Sequence, residues 1–281
     1  MTFSQTVAIV TGGASGIGKA LGQELAQKRV FVVIADLDAE AGERAASDIV
    51  ADGGLARFAR LDVTDRAQVE GLIAETFKEF GRLDYMFNNA GIGMYGELYA
   101  MSNAHWERIV NVNLWGVIHG TQAAYRLMKA QGFGHIANTA SATGLGPSPT
   151  AAAYATTKHA IVGLTTSLHY EAEAYGIKVS AFCPAFVDTP IHATGEAIGV
   201  DRAKVMEQIR KQKPMSPARF ARIAIAGLER NEPIICPMPL RRTMDVFFAL
   251  FPSVHRKLMR LVCRVARQAS LDAPQTTSVK Q

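Results

Sequence analysis

The segment Thr11-Gly-Gly-Ala-Ser-Gly-Ile-Gly18 constrains this chain more than any other stretch of it. It follows a β-branched run at residues 6–11 and opens a helical pattern reaching from about Gly16 to Lys28. Gly12, Gly16 and Gly18, spaced GxxxGxG, permit a tight turn whose backbone can come close to a ligand. The helix that begins there turns its N–H groups and the positive end of its dipole towards an anion. A phosphate-binding turn needs a strand before it and a helix after it, and the pattern supplies both. Apolar runs recur at 30–35, 55–61, 83–88, 134–139 and 177–183. Between them lie helical patterns up to about residue 52, over 65–80, over 103–131 and over 151–175, with a helix near 217–230 and a last strand at 233–237. Continuous rather than alternating apolar runs suit parallel strands buried on both faces, and right-handed crossovers wind such strands into one sheet. We expect an α/β, doubly wound, mostly parallel seven-stranded sheet over residues 1–240, with a C-terminal helical extension at 241–281. No linker or internal repeat divides the chain.

Asp36 closes the second run about 20 residues past the turn, where an acidic side chain can accept hydrogen bonds from ribose hydroxyls. Its charge would repel a 2′-phosphate, and no Arg or Lys stands at Ala14, Ser15, Leu37 or Asp38 to neutralise one. The turn and Asp36 together read as a site for NAD rather than NADP. Asp62 and Val63 close the third run in the same way and can face the adenine edge, though Asp62 alone reads as a turn residue.

Tyr154 and Lys158 stand four apart on an expected helix and so project from one face. A phenol, with an ordinary pKa near ~10, is a poor base unless a nearby positive charge stabilises the phenolate. Lys158 offers that charge, and the nicotinium ring adds more. Tyr154 can then take the proton of an alcohol as hydride departs, or protonate a carbonyl in the reverse direction. Ser141 can hydrogen-bond the substrate oxygen. A YxxxK pattern alone is common. Joined to TGGASGIG at 11–18, Asn88-Asn-Ala-Gly91, and Ser141 placed 13 residues before Tyr154, it makes residues 5–240 resemble the short-chain dehydrogenase/reductase family.

The resemblance implies a Rossmann-like fold with Gly12, Ser15, Gly16, Ile17 and Gly18 at the cofactor and Lys158 also holding the nicotinamide ribose. It gives Asn113 the role of organising a water for proton relay; Asn111 competes for this role, and spacing does not choose. It implies that Asn89 stabilises the core near the adenosine ribose. Pro184–Thr189 is similar to the family's PGxVxT segment, in which the Val187 backbone and the Thr189 hydroxyl would meet the carboxamide. Ala185 replaces the usual glycine there, which would strain a left-handed turn by about 1 kcal/mol. The resemblance also implies a homodimer or homotetramer built from the helices of Asn113 and Tyr154.

On the substrate side we expect Ile92, Met94 and Tyr95, residues 143–149, Phe186 and Ile191. They are mostly apolar and lack fixed charge, which favours a hydrophobic alcohol or ketone, steroid-, retinoid- or aliphatic-like. The other readings are an NADP-dependent 3-oxoacyl thioester reductase, which would want a cation near Ala14 or Leu37, and a non-catalytic dinucleotide-binding scaffold, which would want a broken catalytic set. The seven histidines are scattered, so no metal site is expected; His192 reads as an exposed loop residue. Three cysteines at 183, 236 and 263 make no disulfide framework, and with no apolar run long enough to span a bilayer the expectation is cytoplasmic.

Charge is uneven. Residues 241–268 hold seven cations against Asp245 alone, so of the formal net +5 the first 240 residues carry −1. Nucleic-acid binding would want basic residues spread over the body, and it is not expected. On a helix over 253–268, Val254, Leu258, Leu261, Val262 and Val265 share one face, and Arg256, Arg260, Arg264 and Arg267 lie away from it with Lys257 beside them. With Phe247, Phe248, Leu250 and Phe251 upstream, 244–268 suits either peripheral membrane contact or packing on protein.

Overall fold

The computed structural model describes residues 6–239 and 241–271; the end of the expected extension, 272–281, lies outside the described residues, as do 1–5. Strands β1 (Val7–Thr11), β2 (Phe31–Asp36), β3 (Leu55–Arg60), β4 (Tyr85–Asn88), β6 (Gly134–Thr139), β7 (Ile177–Phe182) and β9 (Ile234–Ile235) form one sheet in the order β3-β2-β1-β4-β6-β7-β9. Every pairing in it is parallel. The order reverses at β1 and β4, where a crevice opens beyond the carboxyl ends of the strands.

Helices cover both faces. Successive residues of a strand point to opposite sides, so Ala8 and Val10 join one core while Ile9 joins the other. On the first side Leu21 and Leu25 of α1 (Gly16–Gln27), Ile49 of α2 (Ala39–Ala51) and Phe220 and Ala224 of α9 (Pro217–Glu229) pack on Val10, Val32 and Phe182. On the second, Val69, Leu72 and Ile73 of α3 (Arg66–Phe80) and Ala124 and Met128 of α5 (Gly116–Gln131) pack on Ile9, Val33, Met86, Ile136 and Val179. Side chains cap the starts: Asp38 accepts from Ala41 N–H, Asp65 from Ala67 and Gln68, Ser216 from Arg219.

Several boundaries differ from expectation for local reasons. The last strand keeps only Ile234 and Ile235, because Pro233 and Pro237 on either side have no N–H to donate. Leu83 lies outside β4; the Gln131 side chain stands in for a strand neighbour, accepting from Leu83 N–H at 2.8 Å and donating to its carbonyl at 3.0 Å. The expected helix over 103–131 is α4 (Asn103–Val110) and α5 joined by a widened π turn at Asn111–Trp115. The expected helix over 151–175 is α6 (Ala152–Glu171), ending in a 3₁₀ turn at Ala172–Tyr175. Missing from the expectation are a small parallel pair, β5 (Met94–Gly96) with β8 (Glu196–Ile198), and helices α7 (Pro190–Thr194) and α8 (Arg202–Lys211). Two further helices, α10 (Arg241–Leu250) and α11 (Pro252–Leu271), end the described chain.

Polar side chains cross the middle of the sheet. Asn88 Nδ2 donates to Asn138 Oδ1 at 2.9 Å and to Thr121 at 3.1 Å, and Asn138 Nδ2 donates to Thr165 on α6 at 3.1 Å, tying β4 and β6 to α5 and α6 on one face of the sheet. Nearer the crevice, Thr11 Oγ1 donates to the Phe87 carbonyl and accepts from the N–H groups of Asn89 and Ala90 at 2.9 and 3.1 Å. One hydroxyl therefore fixes the loop after β4 to the end of β1. Thr11→Val keeps the shape but strands those N–H groups, and it is expected to lower unfolding stability by about 2 kcal/mol in urea denaturation. An unchanged midpoint would show that the loop is held by something else.

Candidate active site

The Gly-rich turn rises from β1 and enters α1 through Ser15, whose backbone is extended and whose side chain makes no capping bond. No acid stands in the first turn of α1, so its exposed donors meet no internal carboxylate. Gly12 has φ +63°, and a Cβ built there would sit 2.8 Å from the Ala90 Cα; a Cβ on Gly18 would strike the Gly12 carbonyl. Asn89 braces the turn, donating from Nδ2 to the carbonyls of Thr11 at 3.1 Å and Gly12 at 3.3 Å and accepting from Thr139 at 3.2 Å. Asp36 braces it from the other side: Oδ2 accepts from Ala14 N–H at 3.0 Å and Oδ1 from Asp38 N–H at 3.1 Å. A glycine cradle, a Ser15 hydroxyl that makes no capping bond and a half-buried carboxylate at the end of β2 fit a dinucleotide. Asp62 folds back on its own loop, accepting from Thr64 N–H and Oγ1, while Val63 is buried with its carbonyl 3.1 Å from His119 Nδ1.

Across the crevice the structure brings Ser141, Tyr154, Lys158 and Asn113 together. Ser141 follows β6, is buried, accepts from Thr143 N–H at 3.2 Å and stands close enough to the Tyr154 hydroxyl to act on its pKa. Lys158, one turn further along α6, is 2% exposed. Its ammonium donates to the Thr139 carbonyl at 2.8 Å and lies 5.5 Å from the centre of the Tyr154 ring. The widened turn sets the two asparagines apart. Asn111 is exposed, whereas Asn113 is fully buried and spans the Ile92 backbone, accepting from its N–H at 2.8 Å and donating to its carbonyl at 3.0 Å. A Cβ on Gly91 would sit 3.2 Å from Asn113 Oδ1 and 3.7 Å from Lys158 Nζ, so Gly91 keeps open the space between them.

Burial dominates the electrostatics. It pushes the Tyr154 phenol above its ordinary range; Tyr95 adds to the rise, and nearby Ser141 opposes it. Burial also lowers the Lys158 ammonium to about 8, and it drives the neighbouring Cys183 thiol up to about 12. The ammonium was expected to make the phenol acidic. With these side chains alone, burial prevails and the phenol stays above its ordinary range.

Other expectations need correction. Met94 does not line the substrate side; it is fully buried with Ile109 and Ala153. His192 is half-buried rather than an exposed loop residue. Its Nε2 lies 3.0 Å from the Val187 carbonyl and therefore carries the proton, which leaves Nδ1 to accept from the Tyr95 hydroxyl at 3.1 Å. This clasp ties α7 to β5 and was illegible because its members are 97 residues apart. Ala185 is absent from the left-handed residues, so its methyl strains nothing. Val187 is buried, and Thr189 lies against Gly16, where a Cβ would come within 3.1 Å of its methyl. Among the described residues no His, Cys, Asp and Glu group could hold a metal, and Thr143 Oγ1 is buried without a hydrogen-bond partner.

Residues 6–197 match the short chain dehydrogenase family. Levodione reductase of Leifsonia aquatica is 34% identical over 192 residues, 67% of this chain and 72% of that protein. A probable oxidoreductase of Mycobacterium tuberculosis is 30% identical over 268 residues, 92% of this chain and 45% of its own length. Among solved structures, a short chain dehydrogenase/reductase from Burkholderia phymatum in complex with NAD covers all of both chains with TM-score 0.77 and 28% identity. The crystal structure of levodione reductase gives TM-score 0.75 at 28% identity over 85% of this chain and 98% of that one.

The buried ammonium leaves a spectroscopic mark. With ¹³C-labelled lysine, one ε-carbon resonance is expected to titrate near pH 8 in the folded protein and to vanish in Lys158→Met. Titration of every lysine at its ordinary value, above ~10, would contradict the burial argument.

Proposed function

The chain belongs to the short-chain dehydrogenase family of oxidoreductases, and we propose that it moves hydride between NAD(H) and a lipophilic secondary alcohol or ketone, in cells in the direction of alcohol oxidation. The observation that carries this reading is the convergence of Ser141, Tyr154 and Lys158 beside the glycine cradle at the carboxyl edge of the sheet. When bound, the dinucleotide supplies the hydride acceptor and a ring cation. Lys158 holds its ammonium beside the Tyr154 ring on a backbone carbonyl, where low polarity makes each charge count for more than in water. Tyr154 exchanges the proton at the substrate oxygen, and Ser141, close to the phenol, orients that oxygen between them. The buried, unpaired Thr143 hydroxyl stands two residues on and offers a further donor. Because both ends of the Asn113 carboxamide are used by Ile92, a relay water would be held by the backbone of the widened turn.

Preference for NAD rests on Asp36, whose carboxylate shares its edge with Leu37 and Asp38 and no cation. An NADP-dependent thioester reductase would need a positive charge there. The lipophilic class rests on the apolar side chains that pack with Tyr154 on one buried cluster, among them Ile92, Met101, Trp106 and Ile198. The exposed aromatic residues Trp115 and Tyr170, on the helices that carry Asn113 and Tyr154, suit assembly into a homodimer or homotetramer.

Tyr154→Phe is expected to lower kcat for secondary alcohols by at least ~10³-fold, leaving NADH affinity within about twofold by fluorescence titration. Appreciable residual turnover would sink the assigned role. Replacing Asp36 by Ala and Leu37 by Arg together is expected to turn the kcat/KM preference from NAD towards NADP, by about 10²-fold or more. A preference that stays where it was would remove Asp36 from the account.

A further inference from the structure

The two helices that end the described chain carry chemistry that the proposed reaction does not use. On α11, Val254, Leu258, Leu261, Val262 and Val265 fall within an arc of about 100°, and all five are exposed. The adjoining arc, with His255, Met259, Cys263 and Ala266, is half-buried, and His255 stacks on Phe248 of α10 at 4.7 Å. The helix therefore rests on the molecule by one side and turns its apolar stripe outwards. Met244, Phe247, Leu250 and Phe251 extend exposed apolar surface onto α10, with Leu250 69% exposed.

Charge borders that stripe on one side. Arg256, Lys257, Arg260 and Arg264 have no carboxylate partner among the described residues, and the one acid of α10 and α11, Asp245, is taken by Arg241 at 2.9 Å. Arg267 is bound to Glu97 at 3.1 Å. That ion pair holds α11 beside the end of β5, next to the exposed Leu98 and Tyr99. The opposite end of the unit, at Arg241, lies close enough to Cys183 and Cys236 to act on their thiols, just past β7 and β9. The apolar and basic surface thus sits at the catalytic edge of the sheet.

We propose that α10 and α11 lie on an anionic phospholipid surface, the apolar stripe entering the acyl boundary and the row of cations meeting the headgroups. A second copy of the chain fits the same face less well. Laying stripe on stripe about a two-fold axis would bring Lys257 and Arg264, which border it, against their own counterparts. The rest of the chain, with its net −1, offers an excess of a single acid to receive them.

Flotation of the full chain with vesicles tests this. Binding is expected to vesicles of about 70:30 phosphatidylcholine and phosphatidylglycerol, not to phosphatidylcholine alone, and to weaken as salt rises from about 0.1 to about 0.5 M. The triple substitution Arg256→Gln, Arg260→Gln and Arg264→Gln is expected to reduce partitioning about 10²-fold. Leu258→Glu with Leu261→Glu is expected to abolish it; all five sites are exposed, so melting temperature and mass by light scattering should not change. Failure to float with either vesicle would overturn the proposal. So would a Leu258→Glu and Leu261→Glu variant that still binds vesicles but dissociates an oligomer, which would make the face a contact between copies.

Discussion

The ammonium of Lys158 is a charge held almost out of water, and the arrangement around it follows from that. A buried cation is tolerable only where a fixed dipole meets it, and the Thr139 carbonyl at the end of β6 does so at 2.8 Å. This contact sets the height of α6 above the sheet. One turn earlier on the helix, the Tyr154 hydroxyl is brought to Ser141, which leaves the same strand end two residues after Thr139. Thr139 takes part twice, because its hydroxyl donates to Asn89, the residue that braces the glycine turn. The ammonium, the phenol and the turn are thus referred to a single strand end.

Such a site requires a sheet that does not slip. A parallel sheet buried on both faces offers apolar packing, which is tolerant of small shifts, whereas hydrogen-bonded side chains in its interior are not. The Asn88, Asn138, Thr121 and Thr165 contacts fix β4 and β6 relative to α5 and α6, the helices that carry or adjoin all the candidate catalytic groups except Ser141. Thr11 does the same for β1 and β4 at the point where strand order reverses.

What the sequence revealed and what it hid follow from range. The glycine turn, the strands at 7–11 and 134–139, and the pairing of Tyr154 with Lys158 are written in adjacent or i,i+4 residues, so periodicity carries them. Asn113 against Asn111 could not be decided, because a single π turn changes the angle at which successive side chains leave the helix. The β5–β8 pair has three residues a side and joins segments about 100 residues apart, too short for any pattern to announce. The burial around Tyr154 was hidden for another reason. Spacing shows that a lysine is near, but how much water either group has lost is a property of the packed core alone.

The segment after β7 binds these pieces to each other. Thr189 rests against Gly16 in the phosphate turn, and three residues later His192 reaches from the Val187 carbonyl to the Tyr95 hydroxyl. Tyr95 is in turn close enough to Tyr154 to raise its pKa. One short helix, α7, thus touches the cofactor turn at its start and the surroundings of the reacting phenol through its middle. A neutral His192 is required by the hydrogen bonds it makes, since a doubly protonated ring would have no lone pair for the Tyr95 hydroxyl; burial lowers its pKa and favours that form. The glycine turn and the surroundings of Tyr154 therefore share the same few residues, joined through α7 rather than through the sheet.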